Sequence, residues 1–143
     1  MNTTYTLHNL DDWQPLVAAL LESAQPGLVA LSGDLGAGKT TLCQRILAAL
    51  GATGPYPSPT YTIMQEYILP ESTHGIDRVY HIDAYRLDEE QMREAGFPEW
   101  VADSRGLVLL EWPQRVPGLL PTHYTEIQIQ VADGVRTVTV TTK

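Results

Sequence analysis

The run Gly33-Asp34-Leu35-Gly36-Ala37-Gly38-Lys39-Thr40 fits G-x-x-x-x-G-K-[ST], the phosphate-binding loop. The chemistry follows from the residue types. Glycines let successive backbone N–H groups turn inward around an anion. A lysine can then span the β and γ phosphates of a nucleoside triphosphate, and a threonine hydroxyl can ligate the magnesium that travels with them. With Thr41 added, residues 33–41 are the candidate nucleotide-binding segment. Lysine usage points the same way, because the chain has only Lys39 and the last residue, Lys143. A general preference for arginine would explain that scarcity equally well, so the loop pattern carries the argument.

Such a site also needs an acidic group near the metal and a group that orients the attacking water or acceptor. Two strand-like runs end in a carboxylate: the apolar Leu107-Val108-Leu109-Leu110 in Glu111, and Arg78-Val79-Tyr80-His81-Ile82 in Asp83. A strand buried along its length and charged at its carboxyl end aims that charge at a ligand crevice. Asp83 and Glu111 are therefore candidate metal and catalytic residues, beside Lys39 and Thr40, and the pattern leaves open which of the two holds metal and which orients water. Thr60 follows Pro57-Ser58-Pro59, whose prolines stiffen the loop. It stands where a γ-phosphate-sensing switch threonine would. His81 lies two residues before Asp83 and shares its strand face; it reads as a structural histidine, with orientation of Asp83 as the other role. Arg86 reads as the partner of an acid such as Glu89 or Glu90. Trp112 reads as core or as a cover over the site. Cys43 reads as a small buried side chain on a helix.

The elements that must position these groups are legible in outline. Residues 4–8 alternate as an edge strand, and Leu10, Trp13, Leu16, Val17, Leu20 and Leu21 form a helical stripe. Residues 27–32 form a short apolar strand leading into the glycine loop. Leu42, Ile46, Leu47 and Leu50 place a helix after it, stopped at Gly51. Residues 51–59 are too rich in Pro and Gly for an element. The pattern predicts a strand over 61–69, a polar turn over 70–77, a strand over 78–83, a helix from Asp88 to a stop at Gly96, and a strand over 107–111. Residues 126–131 and 135–141 alternate around Asp133-Gly134, a β-hairpin signal. The expected fold is one α/β domain over residues 1–143: a three-layer P-loop NTPase with a mixed, centrally parallel sheet and a C-terminal β-hairpin.

Composition sets limits. With 43% hydrophobic and 18% charged residues the chain is expected to be globular. No apolar run reaches the ~20 residues of a membrane span. The N-terminal residues lack a signal-peptide pattern, which predicts a cytoplasmic protein. The net charge of -8 argues against strong autonomous nucleic-acid binding. The single cysteine and four histidines show no zinc spacing.

Four segments together resemble the TsaE (YjeE) family, the bacterial ATPases of tRNA threonylcarbamoyladenosine biosynthesis. They are residues 33–42, Ser58-Pro59-Thr60-Tyr61-Thr62, Tyr80-His81-Ile82-Asp83-Ala84-Tyr85-Arg86-Leu87 and Glu111-Trp112-Pro113. The resemblance implies ATP and Mg2+ as cofactors and the TsaD–TsaB threonylcarbamoyl transferase as partner, with tRNA reached only through that partner. It implies that Lys39 and Thr40 hold phosphate and magnesium, that Thr60 is the switch threonine, and that Asp83 and Glu111 form the acidic pair. Ile82, Ala84 and Tyr61 depart from the residues usual there, which alters packing and not the chemistry. The competing reading is a small-molecule P-loop kinase, whose arginine-bearing lid is replaced here by Asp88-Glu89-Glu90. A GTPase lacks support because no Asn-Lys-x-Asp motif is present. A nucleotide-gated binding module without turnover is the remaining alternative.

Overall fold

The alternation of strand and helix signals resolves into a single mixed sheet. A computed structural model describes residues 2–143. The chain runs β1 (Asn2–Leu7), a 3-10 turn at Leu10–Asp12, α1 (Trp13–Glu22), β2 (Gly27–Gly33), α2 (Lys39–Ala49), β3 (Met64–Thr73), β4 (Ile76–Asp83), α3 (Glu89–Ala95), α4 (Phe97–Ala102), β5 (Gly106–Glu111), β6 (Thr125–Ala132) and β7 (Val135–Thr142). The sheet order is β1-β7-β6-β2-β5-β4-β3. β2 pairs in parallel with β5 and with β6, and β4 in parallel with β5. The outer pairs are antiparallel. This is the expected α/β fold, a parallel centre widened by antiparallel edges.

Strand periodicity explains the layers. Along β5, Leu107 and Leu109 join a core with α1 and α2, whereas Val108 and Leu110 join a second core with α3 and α4. β2 divides the same way, with Leu31 on the first face and Leu28 and Ala30 on the second. A strand covered on both faces must be apolar throughout, which is why these two read as continuous hydrophobic runs. Burying one such leucine contributes roughly 2 kcal/mol. Burying an unpaired charge in the same layer costs several times that. A carboxylate at the end of β5 is therefore tenable only with partners.

Three expectations about elements change. The predicted strand over 61–69 begins at Met64, because residues 61–63 form a turn. The predicted turn over 70–77 is mostly strand, and the chain reverses at His74-Gly75. Pro70 is tolerated because β3 is an edge strand whose register shifts between Ile68 and Thr73. Leu10 lies on the 3-10 turn, is 70% exposed, and does not join the α1 stripe. The α3 expectation holds in detail: Asp88 accepts from the Gln91 N–H while the Gln91 side chain accepts from the Asp88 N–H, a reciprocal cap. α4 had no separate signal.

The end of the sheet away from the phosphate loop is pinned by Asp103. Its carboxylate accepts from Arg78 Nε at 2.7 Å, Arg78 Nη2 at 2.9 Å and the Tyr80 hydroxyl at 2.7 Å. The Arg78 guanidinium holds the Asp103 carboxyl well below the usual carboxylate range. This ties α4 to β4 and leaves the other strand ends free to build a site.

Candidate functional site

The carboxyl ends of β2, β5 and β4 converge because they are parallel neighbours. Leu31 is level with Glu111, and Asp83 is level with Glu111. Period-two alternation puts His81, Asp83 and Glu111 on the α2 face, the parity of Val79, Leu107 and Leu109. α2 opens directly over them. Two glycines permit that approach. A Cβ on Gly33 would stand 2.7 Å from the Ile129 carbonyl oxygen. A Cβ on Gly38, at φ 114°, would meet the Trp13 ring at 2.9 Å. Any side chain at either place would push the loop off the sheet or off α1.

The result is a cleft of about 300 Å³. Leu35, Gly36, Gly38, Lys39, Thr40, Thr41, Thr60, Asp83 and Glu111 line it, so most of the sequence-predicted residues meet in one place. Gly33 and Asp34 take part through their carbonyls, which accept from the Lys39 ammonium, Asp34 at 3.0 Å. Ala37 is buried and outside the lining. The first helical bond of α2 is Leu42 N–H to the Gly38 carbonyl at 2.9 Å. The N–H groups of Lys39, Thr40 and Thr41 thus have no partner within the helix and stand at its positive end.

Lys39 is 5% exposed and lies 4.2 Å from the centroid of the Trp112 ring. Trp112 adopts a left-handed backbone, φ 62°, which costs about 1–2 kcal/mol for a residue with a side chain. That turn brings its indole from the end of β5 to the lysine, where Tyr85 packs on it at 4.8 Å. Trp112 is thus a wall of the cleft. Burial pushes the Lys39 ammonium below its ordinary pKa, with Glu111, Asp83 and Asp34 pulling it back up.

Glu111, 3% exposed, has the partners its burial demands. The Thr40 hydroxyl donates to Oε1 at 2.9 Å and reaches Oε2 at 3.0 Å. His81 Nε2 donates to Oε2 at 2.6 Å. The reading of His81 as a buried structural histidine fits this contact, and the other role, orientation of Asp83, does not. Its ring nitrogen goes to Glu111 on the neighbouring strand, and its Nδ1 is buried without a partner. Asp83 instead accepts from the Tyr85 N–H at 3.0 Å. Burial raises the Asp83 pKa; Glu111 adds to the rise, while the Tyr85 N–H and the Thr60 hydroxyl oppose it.

Thr60 is brought to the cleft by a loop with three anchors. Gln44 Nε2 on α2 donates to the Tyr56 carbonyl at 2.7 Å, Ile63 N–H donates to the Pro59 carbonyl at 2.7 Å, and Asp83 N–H donates to the Ile63 carbonyl at 2.9 Å. The Thr60 and Ser58 hydroxyls are 2.7 Å apart. Arg86 does not pair with Glu89 or Glu90; its guanidinium lies 4.4 Å over the Tyr61 ring. Cys43 is fully buried, and burial raises its thiol pKa, so it is a packing residue rather than a nucleophile. Trp13 and Arg136 also line the cleft. Neither announces a site in the sequence, since Trp13 belongs to a helical stripe and Arg136 sits in a hairpin without any motif.

The donor set fits magnesium and phosphate. One hydroxyl and two carboxylates supply hard oxygens, next to an ammonium and the N–H groups of a helix start. The raised Asp83 pKa has a stability consequence. A carboxyl whose folded pKa lies above its unfolded value contributes stability that is full below the unfolded pKa and is lost as pH rises through the folded one. Asp83→Asn keeps the oxygen that accepts from Tyr85 and removes the charge. The nucleotide-free variant is expected to melt above the parent at pH 7, with the gain vanishing at about pH 3.5, below the ordinary aspartate pKa. Melting curves at the two pH values check this, and no gain at pH 7 would contradict the assigned burial cost.

Comparison with known proteins agrees with this geometry. The family model described as "Threonylcarbamoyl adenosine biosynthesis protein TsaE" matches residues 7–138. The tRNA threonylcarbamoyladenosine biosynthesis protein TsaE of Bacillus subtilis is 38% identical over 120 residues, 82% of this chain and 72% of that protein. Its counterpart from Haemophilus influenzae is 36% identical over 112 residues, 78% of this chain and 67% of that protein. The crystal structure of Bacillus subtilis YdiB is similar in fold, with a TM-score of 0.74 at 27% identity, covering 99% of this chain and 86% of that one.

Proposed function

The chain belongs to the TsaE family of threonylcarbamoyl adenosine biosynthesis proteins, and on that premise we propose that residues 1–143 act as a single P-loop ATPase domain in N6-threonylcarbamoyladenosine modification of tRNA position 37. The observation that carries the ATPase reading is the hydrogen bond from Thr40 at the start of α2 to Glu111 at the end of β5, with Asp83 level with Glu111 on β4. It supports a metal–phosphate site spanning loop and sheet.

In this reading the N–H groups at the α2 start cradle the phosphates, and Lys39 spans the β and γ groups. Thr40, Glu111 and Asp83 would hold magnesium, which would supply charge neutralisation for the phosphates. Asp83 and Glu111 share the holding of metal with the orientation of the attacking water. Thr60, on its anchored loop, reports on the γ-phosphate. The half-buried Trp112 wall shields the lysine from water.

The net charge of -8 favours a protein that leaves tRNA to a partner. That partner is the TsaD–TsaB transferase, and hydrolysis supports its turnover in the cytoplasm. Among the described residues no helix is long and apolar enough to cross a membrane. The kinase alternative lacks a basic lid. The helix in that place, α3, begins with Glu89 and Glu90, and Arg86 is engaged by Tyr61.

The test is ATP hydrolysis by the chain alone and with purified TsaD–TsaB. Slow hydrolysis alone that rises several-fold in the complex is expected. No rise would overturn the coupling, and a phosphorylated small-molecule product formed in stoichiometric yield would favour a kinase.

A further inference from the structure

Resting on the ATPase reading, we propose that His81 is a positioning residue for Glu111: from inside the sheet it holds the carboxylate in the orientation that directs the attacking water.

Packing alone does not account for a histidine at this place. The ring is 0% exposed. Its Nε2 donates to Glu111 Oε2 at 2.6 Å, and its Nδ1 is buried with no partner. A carboxylate only accepts, so the proton of this bond sits on the ring, and the ring's one satisfied nitrogen serves Glu111. An apolar side chain would fill the same space without leaving a buried nitrogen unpaired, which is destabilising.

Strand register gives the histidine its reach. His81 is level with Leu109, two residues before Glu111 on the neighbouring strand, so its bond runs diagonally along the β4–β5 pair. β4 lies between β5 and β3, and its backbone is fixed from both sides. The other partner of Glu111, Thr40, comes from the start of α2 and therefore from the phosphate loop. The Thr40 hydroxyl stands almost equally far from the two carboxylate oxygens, 2.9 and 3.0 Å. That contact alone lets the carboxylate turn about the line to the hydroxyl. The shorter His81 contact, to Oε2 only, removes this freedom. A group that orients water must be held to within about 10–20°. Thr40 thus ties Glu111 to the loop, and His81 sets its plane from a support that does not move with the nucleotide.

The test uses two substitutions of nearly equal length and volume. His81→Gln keeps an N–H donor, and His81→Met has none. ATP hydrolysis is measured in the TsaD–TsaB complex, and Mg-ATP affinity by calorimetry on chains shown to be folded by their melting curves. His81→Met is expected to lower kcat about 10- to 100-fold with KM and affinity within a few-fold of the parent, while His81→Gln stays within a few-fold in all three. Added to Glu111→Gln, His81→Met should lower kcat little further, because the carboxylate it positions is already gone. Parent-like kcat in His81→Met, equal losses in the two His81 variants, or a full multiplied loss in the double variant would overturn the role. NMR of the parent chain tests it without any substitution. The His81 Nε2–H resonance should be protected from exchange with water and stay hydrogen-bonded when magnesium and a non-hydrolysable ATP analogue are added; its loss on loading would equally overturn the proposal. If the parent complex hydrolyses no ATP, the ATPase reading itself fails.

Discussion

Lys39→Ala is expected to leave a folded chain that binds Mg-ATP on the order of 100-fold more weakly and does not turn it over in the partner complex. The physical reason is that no other cation can substitute. Arg136 is fixed to the Ala37 carbonyl on the opposite side of the loop, and Arg86 is stacked on Tyr61. The lysine is already positioned for phosphate, with its ammonium buried against Trp112 and facing the Gly33 and Asp34 carbonyls. Stability should suffer little, because burial already disfavours the charged form. Calorimetry with Mg-ATP, paired with a melting curve, separates loss of binding from loss of fold. Retained ATPase in the complex would sink the site assignment.

Glu111→Gln is expected to bind Mg-ATP within a few-fold of the parent and hydrolyse it about 100- to 1,000-fold more slowly. Glutamine is isosteric and can still accept from Thr40, so the loop and β5 stay joined. What is lost is the carboxylate that accepts from both Thr40 and His81 and lies level with Asp83. A second readout comes with it. Glu111 is one of the causes raising the Asp83 pKa, so in the variant Asp83 should titrate at lower pH. If nucleotide binding disappears instead, Glu111 is mainly a metal-site residue and water orientation falls to Asp83.

Much of the site was legible because its chemistry is local in sequence. Residues 33–41 contain their own turn, cation and hydroxyl, and the strand before and helix after them follow from periodicity. Glu111 was legible because β5, covered on both faces, is apolar from Leu107 to Leu110 before it; Asp83 was legible as the acid that ends β4, a strand that also carries Arg78 and His81. β3 was misjudged for the converse reason. An exposed edge strand carries little hydrophobic pattern, and Pro70 mimics a turn. Leu10 continued the α1 stripe on paper, yet the chain turns at Leu10–Asp12 before α1 begins. α4 was missed because a six-residue helix is too short to show a period.

By itself the amino-acid sequence determined the loop, its lysine, the apolar strands and the family, because each is a pattern of neighbouring residues. Only the tertiary structure decided which groups meet. It gave His81 to Glu111 rather than to Asp83, set Trp112 over Lys39, and brought Arg136 from the C-terminal hairpin to the loop 99 positions earlier. These pairings depend on strand order and register, and those are settled by burying both faces of the whole sheet at once. No local run of residues encodes them, so Lys39 announces a phosphate site, and the folded sheet supplies the walls that make it a nucleotide cleft.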